Sequence, residues 1–522
     1  MSPTEPAATA AAQLRERLRA AQHQRDALAH EPTLKIPDVG HTVANAYEQL
    51  RNAAEYTEEH LLLQRASRRF YKRNIPLHTH RAVGNVGEEV VIELTQAGYL
   101  VNGTIHPSTV TAIQTLVTGY LEVYWNLRQA HVPYEEAADW LLDILSVETE
   151  TLLNPHDHTA AFGYFAYQHF LTLFAGQAFL AREQQNDQYE ISLYIAVHRA
   201  LMKSDTATVR HDLLRMYAQS PDDIHSFTQF NRTITKLYNS ELTRTLQRAV
   251  NKYGAPLRIF KSMVETRNDI PDLLADREQF LEAYRKQTFV EYGSVKKRLK
   301  KGLKKSILFI LITKVLIGVA IEVPYDLMTV GAVALLPLVV NLLTPPAYMA
   351  SLWFSIGMPT GDNAAALVNY VDKALFSHDQ PVHLPSRPFG KQISDAAKVL
   401  YGILFLVPFA VIIFVLMLLH FNAVQAIIFF VFISTASFLG FRLSQIVREL
   451  ELVTKETGLI RTLRDFFYLP FILAGQWISS KYAKVNLVAA VLDMLIELPL
   501  KTVLRVIRQW TRFLNEKRDQ IY

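Results

Sequence analysis

The chain has 522 residues, of which 54 are Lys or Arg, 49 are Asp or Glu and none is Cys. The lack of cysteine excludes disulfides, thiol catalysis, iron–sulfur clusters and Cys-based zinc sites. Half of the residues are hydrophobic and only 20 are Gly, which favours helices over a fold built from strands and turns.

Residues 1–305 form a nearly neutral half, with 36 basic and 35 acidic side chains. This half lacks the basic face that nucleic-acid binding needs, so we expect no nucleic-acid partner. The N-terminus has no apolar segment of the signal-peptide type, and residues 1–42 are interpreted as an arm and linker. From 43 to 292, prolines separate segments in which apolar residues recur at helical spacing. These segments predict a cytoplasmic all-helical domain.

Four apolar runs follow, each with about the 20 residues that a helix needs to cross a bilayer. They lie in a predicted membrane domain at 306–441 and occupy 306–323, 329–357, 399–419 and 423–441. Prolines interrupt the second run, and the last two runs contain no Asp, Glu, Lys or Arg. The stretch 358–398 is interpreted as a cytoplasmic loop. The alternative interpretation of the four runs is a set of core helices buried in a soluble protein.

The positions of the basic residues orient these spans, because short cytoplasmic segments carry an excess of Lys and Arg. Both predicted outer loops, 324–328 and 420–422, contain neither residue, and all predicted inner segments contain them. We therefore expect a multi-pass protein of the cell membrane with both termini in the cytoplasm. A juxtamembrane collar at 293–305 should contact anionic lipid headgroups through Lys296, Lys297, Arg298, Lys300, Lys301, Lys304 and Lys305.

Lys314 lies near the middle of the first predicted span, where an ionised side chain is costly. Glu322 follows eight residues later, about 12 Å along an α-helix, so we do not expect the two to pair directly within the helix. The alternatives are that Lys314 extends toward the cytoplasmic face or serves transport. The acidic candidates for partners are Glu322, Asp326, Asp493 and Glu497.

Residues 442–522 are interpreted as cytoplasmic or interfacial amphipathic helices. The apolar run 466–478 has only 13 residues, too few to span a bilayer. Asp493 and Glu497 share one face of the following apolar segment. Beyond them an apolar stripe opposes a basic one, which is typical of a helix lying on anionic lipid; the basic residues are Lys501, Arg505, Arg508 and Arg512. The alternative is a core helix with one solvated face.

Catalytic and metal-binding motifs are missing from the sequence. It has no phosphate-binding loop, no nucleophile elbow and no His-Glu-x-x-His motif. Two close histidine pairs, His78 with His80 and His156 with His158, are spaced by two residues and lie beside prolines in predicted loops. A metal-binding pair on a helix is spaced by four residues. We predict no metal, no cofactor and no enzymatic activity.

Three parts of the chain resemble a group of uncharacterised multi-pass membrane proteins from candidate-phyla bacteria of the Patescibacteria type. The similar stretches are YIAVHRALMKSD at 194–205, TK at 313–314 with EVPYD at 322–326, and IELP at 496–499 with QW at 509–510. The resemblance implies a bacterial source. It brings no known activity with it.

The sequence therefore predicts an all-α protein: a soluble helical domain, a four-span helical membrane domain and an amphipathic C-terminal tail. We expect a non-enzymatic scaffold whose cytoplasmic domain recruits a protein partner to the inner face of the membrane. The alternative is a transporter or channel-like protein that uses Lys314 and the Pro-broken second span. Four spans are few for a transporter, so this alternative would require a homo-oligomer.

Overall fold

The computed structural model describes residues 10–483, except for seven stretches and six single positions. These exceptions are 29–31, 37–43, 53–58, 78–83, 176–185, 378–394, 453–458, Tyr47, Leu50, Pro76, His156, Asp187 and Val330. Every regular element among the described residues is a helix. The all-α prediction is therefore confirmed for this part of the chain.

Twelve α-helices are described before residue 277. Polar N-caps begin several of them: the side chains of Asp205, Asp223 and Ser240 each accept a hydrogen bond from a backbone N–H of the first turn, which satisfies an otherwise unpaired donor. The helices are α1 Ala10–Leu28, α2 Leu62–Asn74, α3 Val86–Gln96, α4 Pro107–Gln129, α5 Tyr134–Leu153, α6 Asp157–Phe174, α7 Tyr189–Val197, α8 Thr206–Met216, α9 Ile224–Tyr238, α10 Glu241–Tyr253, α11 Ala255–Thr266 and α12 Ile270–Leu273.

These helices enclose two apolar cores. The first is built mainly from α2–α5 and contains the buried side chains of Tyr71, Tyr124 and Leu145. It continues onto α8 and α9 through Leu214 and Phe227. The second core joins α1, α6 and α7 to the helices that follow them, and it continues past residue 277 into the C-terminal half. The two halves of the chain therefore share one continuous apolar core.

Helix α13, Arg277–Ile317, connects the two halves without a break. Asp276 caps its N-terminus, because the carboxylate of Asp276 accepts hydrogen bonds from two backbone N–H groups of the first turn. A π-helical turn at Gly318–Glu322 and helix α14, Val323–Thr329, extend it further. The continuous helix has 53 residues and is therefore about 80 Å long.

The surroundings of this long helix change along its length. Near its start, Phe280 and Tyr284 are fully buried in the helical domain. Beyond the basic collar, Leu308, Leu316 and Val319 are 57%, 63% and 66% exposed. One helix therefore passes from the buried core of the helical domain to a region whose outer surface is apolar.

The remaining helices are α15 Leu335–Ser355, α16 Gly361–Phe376, α17 Asp395–Leu418, α18 Ala423–Arg448 and α19 Leu459–Ala483. Within the described ranges, two helices are long and apolar enough to cross a membrane: the long helix at 277–329 and α18. Helices α15 and α17 contain shorter apolar stretches, Leu335–Ser351 and Gly402–Leu418. By length and composition, the structure supports the first and the last of the four predicted spans.

The second predicted span is not broken at its prolines. Helix α15 continues through Pro345 and Pro346, although each proline removes one backbone donor. The hydroxyl of Thr344 donates to the carbonyl of Val340 at 2.6 Å. This bond does not replace a lost one, because the carbonyls that Pro345 and Pro346 leave without their usual donors are those of Asn341 and Leu342. Since the helix nevertheless continues, the description of this span as Pro-broken is wrong.

Helix α16 lies in the stretch 358–398, which the sequence predicts to be a loop. This connection contains a helix at residues 361–376, because Leu367, Val371 and Leu375 recur at helical spacing and are at most 1% exposed, whereas its cytoplasmic location stays a prediction. Polar residues occupy the other faces, so the mean hydropathy of the segment stays moderate. Residues 361–376 are therefore an amphipathic helix with one buried apolar face.

Polar contacts fasten α16 to the helical domain. The hydroxyl of Tyr370 lies 2.8 Å from Nε2 of His169 in α6. The carboxylate of Asp372 accepts two hydrogen bonds, of 2.6 and 2.7 Å, from the guanidinium of Arg277. This two-point geometry fixes orientation as well as distance.

Asn363 joins three segments at the other end of α16. Its amide donates to the hydroxyl of Tyr292 at 2.7 Å and to the carbonyl of Leu450 at 2.9 Å. Its side-chain oxygen accepts from the backbone N–H of Leu452 at 2.8 Å. Asn363 is buried, so these bonds hold α13, α16 and the chain after α18 together.

Helix α19 packs along α18, beside the centre of the predicted fourth span. The hydroxyl of Tyr468 donates to the carbonyl of Ser437 at 2.9 Å. A Cβ at Gly475 would lie 2.1 Å from the carbonyl oxygen of Ser434, so only glycine permits this close approach. The run 466–478, which the sequence shows only to be too short to span a bilayer, therefore packs against the apolar bundle, by which we mean residues 306–329 of the long helix with α15, α17 and α18. Residues 484–522, with the predicted amphipathic tail, lie outside the described residues.

His211 in α8 is a buried ionisable group of the helical domain. Its Nδ1 lies 3.2 Å from Asp212 Oδ1, and its Nε2 lies 3.6 Å from Glu148 Oε1. Burial disfavours the charged imidazole, but hydrogen bonds and charge interactions with Asp212 and Glu148 outweigh it and raise the pKa of His211 to about 9. The ordinary pKa of an unfolded histidine is about 6.5, so the folded protein holds this proton more tightly.

We expect the stabilisation from protonated His211 to be complete below about pH 6.5 and to be lost as the pH rises through about 9. The variant His211→Gln should lower the unfolding free energy by about 1–3 kcal/mol at the acidic end and much less at high pH. Thermal melting of the purified full chain across this range measures the difference. The variant His225→Gln removes an exposed histidine of α9 and should keep the parental profile. An effect of His211→Gln that does not change with pH would contradict this prediction.

Candidate functional site

Lys314 and Glu322 form a buried ion pair within the long helix. Lys314 Nζ donates to Glu322 Oε1 at 2.7 Å, and the two residues are 1% and 0% exposed. The prediction that they do not pair directly is wrong, because it considered the distance of about 12 Å along an α-helix and not the reach of the two long side chains or a local change in the helix. The π-helical turn acts as one inserted residue, so the angular offset of eight residues falls from about 80° to about −20°. The two extended side chains then cover the distance along the axis.

Asn341 of α15 connects this ion pair to a neighbouring helix. Its Nδ2 donates to Glu322 Oε2 at 3.0 Å and to the backbone carbonyl of Gln425 at 3.3 Å. The ammonium of Lys314 also lies 4.7 Å from the ring centroid of Phe432 in α18, within the range of a cation–π interaction. The pair is therefore enclosed by α15 and α18.

Asp326 continues the polar network one turn further along the long helix. Its carboxylate accepts from Gln425 Nε2 at 2.9 Å, from Asn422 Nδ2 at 2.7 Å and from the backbone N–H of Ala334 at 3.3 Å. Asn422 and Gln425 also cap α18, because each side chain bonds to the backbone N–H of the other. Asp326 is 1% exposed. The start of α18 is thus fixed to the end of the long helix.

The network carries two carboxylates and one ammonium group. Among the described residues, Lys314 is the one basic side chain within ion-pair distance of either acid. Asn341 Oδ1 is buried and accepts no hydrogen bond within the described part of the chain. The arrangement can hold three helices in register. Among the described residues, it leaves the carboxylate of Asp326 without a basic partner and Asn341 Oδ1 without a hydrogen-bond donor.

The other predicted site residues lie elsewhere. All seven basic residues of the collar are exposed on α13. Asp493 and Glu497, and the basic residues Lys501, Arg505, Arg508 and Arg512, lie outside the described residues. The structure therefore brings together three of the five intramembrane candidates: Lys314, Glu322 and Asp326.

Sequence reasoning missed Asn341, Asn422 and Gln425. Asn422 and Gln425 had a readable signal, because Asn-x-x-Gln before an apolar run has the spacing of a capping box. Asn341 stands alone in an apolar run, and a polar side chain in such a run normally faces protein. Only the structure shows that Asn341 binds Glu322 and that Asn422 and Gln425 bind Asp326.

We predict that Lys314→Met lowers the unfolding free energy of the detergent-purified protein by about 3–5 kcal/mol, because it leaves the carboxylate of Glu322 buried without a cation. The double variant Lys314→Met with Glu322→Gln should recover part of this loss, since it removes both charges and keeps an acceptor for Asn341. Thermal melting of the two single variants and the double variant measures the coupling.

The matched control is Lys305→Met, which removes an exposed collar charge and should change the melting temperature little. Additive losses in the double variant, or a parental melting temperature for Lys314→Met, would contradict a stabilising pair.

Comparison of the whole chain with models of protein families, with curated proteins and with solved structures finds no match.

Proposed function

We propose that the chain is a non-enzymatic membrane scaffold that holds a helical domain at the cytoplasmic face of the cell membrane. The observation that supports this most is the uninterrupted helix at 277–329, which enters both the helical domain and the apolar bundle. A continuous helix transmits position and orientation, whereas a flexible linker would not. The fastening of α16 to the helical domain adds a second connection.

Membrane insertion is supported by the outer surface of the bundle. Leu406, Phe414 and Leu418 of α17 are 62–63% exposed, and residues 399–441 contain no Asp, Glu, Lys or Arg. A soluble protein rarely leaves apolar surface on this scale in water. We propose that the four apolar runs cross the membrane, and that the collar contacts anionic headgroups at about 1 kcal/mol for each basic residue near the surface.

Helix α19 adds to this membrane domain. It has 25 residues, or about 37 Å, and it packs beside the centre of α18. We propose that it inserts together with the four spans rather than lying on the surface. The predicted cytoplasmic placement of the C-terminus requires that α19 enter the bilayer without crossing it completely, because a fifth complete crossing would put the C-terminus outside.

The recruiting part of the scaffold would be the first apolar core, formed by α2–α5. This core joins the rest of the protein through Leu214 and Phe227 of α8 and α9, and its cluster includes no residue of the apolar bundle. It is therefore the part of the chain that is best placed to bind a cytoplasmic protein.

A second candidate is a transporter or channel-like protein. The π-helical turn supports it, because such turns are frequent at functional sites, and so does the buried Asn341 Oδ1, for which the described residues provide no hydrogen-bond donor. The enclosure of Lys314 and Glu322 favours the scaffold. Proteoliposomes that contain a pH-sensitive dye separate the two: proton flux that Glu322→Gln abolishes would favour the transporter, and no flux above protein-free vesicles would favour the scaffold.

The proposed topology can be tested with single cysteines, because the chain has no cysteine of its own. A membrane-impermeant maleimide should label Met328→Cys, an 87% exposed position in the proposed outer loop, on intact cells. It should label Ser377→Cys, an exposed position after α16, only when the membrane is opened. The cysteine-free parent is the control for background. Labelling of Ser377→Cys on intact cells would exclude the proposed topology.

A further inference from the structure

A cavity of about 550 Å³ lies between α15, α18 and α19, away from the polar network. Its inner end is lined by Phe429, Ile433 and Phe471. Its other end is polar and contains Arg448 and Glu451. The volume falls in the range of about 300–1,000 Å³ that is usual for sites of small ligands.

The polar end of the cavity lies at the level of the basic collar. A Cβ at Gly302 of the collar would lie 2.6 Å from the side chain of Leu443, and Leu443 precedes Arg448 by little more than one helical turn. From Ile433 to Arg448, α18 rises by about 22 Å, which is about half of a bilayer with its headgroups. In the proposed membrane orientation, the cavity therefore spans the cytoplasmic leaflet from headgroup level to the centre.

The two charges at the mouth have opposite signs. Arg448 is exposed and Glu451 is partly exposed, and they lie three residues apart where α18 ends. A guanidinium matches the geometry of a phosphate, and a carboxylate accepts from an ammonium group. The C-terminal end of α18 also favours a positive charge.

We propose that this cavity binds one phospholipid whose headgroup contains a phosphate and a primary amine, as in phosphatidylethanolamine. One acyl chain fills the apolar end, Arg448 binds the phosphate, and Glu451 accepts from the amine. A purely anionic headgroup such as that of phosphatidylglycerol would leave Glu451 facing the lipid without an ammonium partner, and an uncharged apolar molecule would use neither charge. The proposal rests on the membrane placement proposed above.

Native mass spectrometry of the detergent-purified full chain tests this proposal. Titration with phosphatidylethanolamine should give one saturable bound lipid per chain, and phosphatidylglycerol should bind about tenfold more weakly, the factor expected for one charge-assisted contact. Arg448→Gln should weaken binding of both lipids. Glu451→Gln should remove the preference between them, because the amine contact is lost.

The control variant is Arg442→Gln, which removes an exposed arginine from the same helix outside the cavity lining and should bind as the parent does. Ser444→Trp fills the mouth of the cavity and should abolish the saturable lipid while α18 and α19 stay packed, as shown by an unchanged melting temperature. Equal binding of the two lipids by the parent, or parental binding by Arg448→Gln, would overturn the proposal. If either of these results were found together with the expected labelling of Met328→Cys and Ser377→Cys, the lipid site would be excluded, but the proposed membrane topology would still be supported.

Discussion

The pairing of Lys314 with Glu322 is the interaction on which the apolar bundle depends. A charge in this position must be neutralised, because an orphaned buried charge costs about 3–5 kcal/mol. Pairing inside one helix needs the π-helical turn, which rotates Glu322 onto the face of Lys314. The second oxygen of Glu322 then requires a donor, and Asn341 of α15 supplies it. One buried charge therefore determines the local geometry of one helix and the register of the next.

Asp326 imposes the same kind of constraint at the end of the long helix. The first residues of α18 satisfy it, because Asn422 and Gln425 donate to its carboxylate while they cap their own helix. Apolar packing alone is not directional, and in lipid it provides no hydrophobic force between helices. We infer that the polar contacts determine the axial positions of α15 and α18 relative to the long helix, and that apolar side chains fill the space around these contacts.

Much of the fold could be predicted from sequence, and the failures share a physical cause. Periodicity revealed the helical domain, with Ile113 and Val117 on the buried face of α4. Low polarity revealed the apolar runs and made Lys314 conspicuous. Averages over a window cannot reveal α16, whose burial depends on a one-sided stripe, or the packing of α19, which depends on the close approach of Gly475 to the carbonyl of Ser434. The π-helical turn has no composition signature, so the pairing of Lys314 could not be derived from spacing.

The number of connections between the two halves of the chain distinguishes a scaffold from a simple membrane anchor. A long helix by itself can bend along its exposed collar, since long helices curve gently under small forces. Here α16 packs back against the helical domain, and its Asp372 binds Arg277, the first residue of the long helix. Asn363 meanwhile binds both Tyr292 and the chain that follows α18. The collar is thereby bridged on one side by a second, hydrogen-bonded path, and bending at the collar would have to break buried bonds. Two connections of this kind fix the orientation of the helical domain relative to the bundle, which a platform for a partner protein requires and a simple membrane anchor does not.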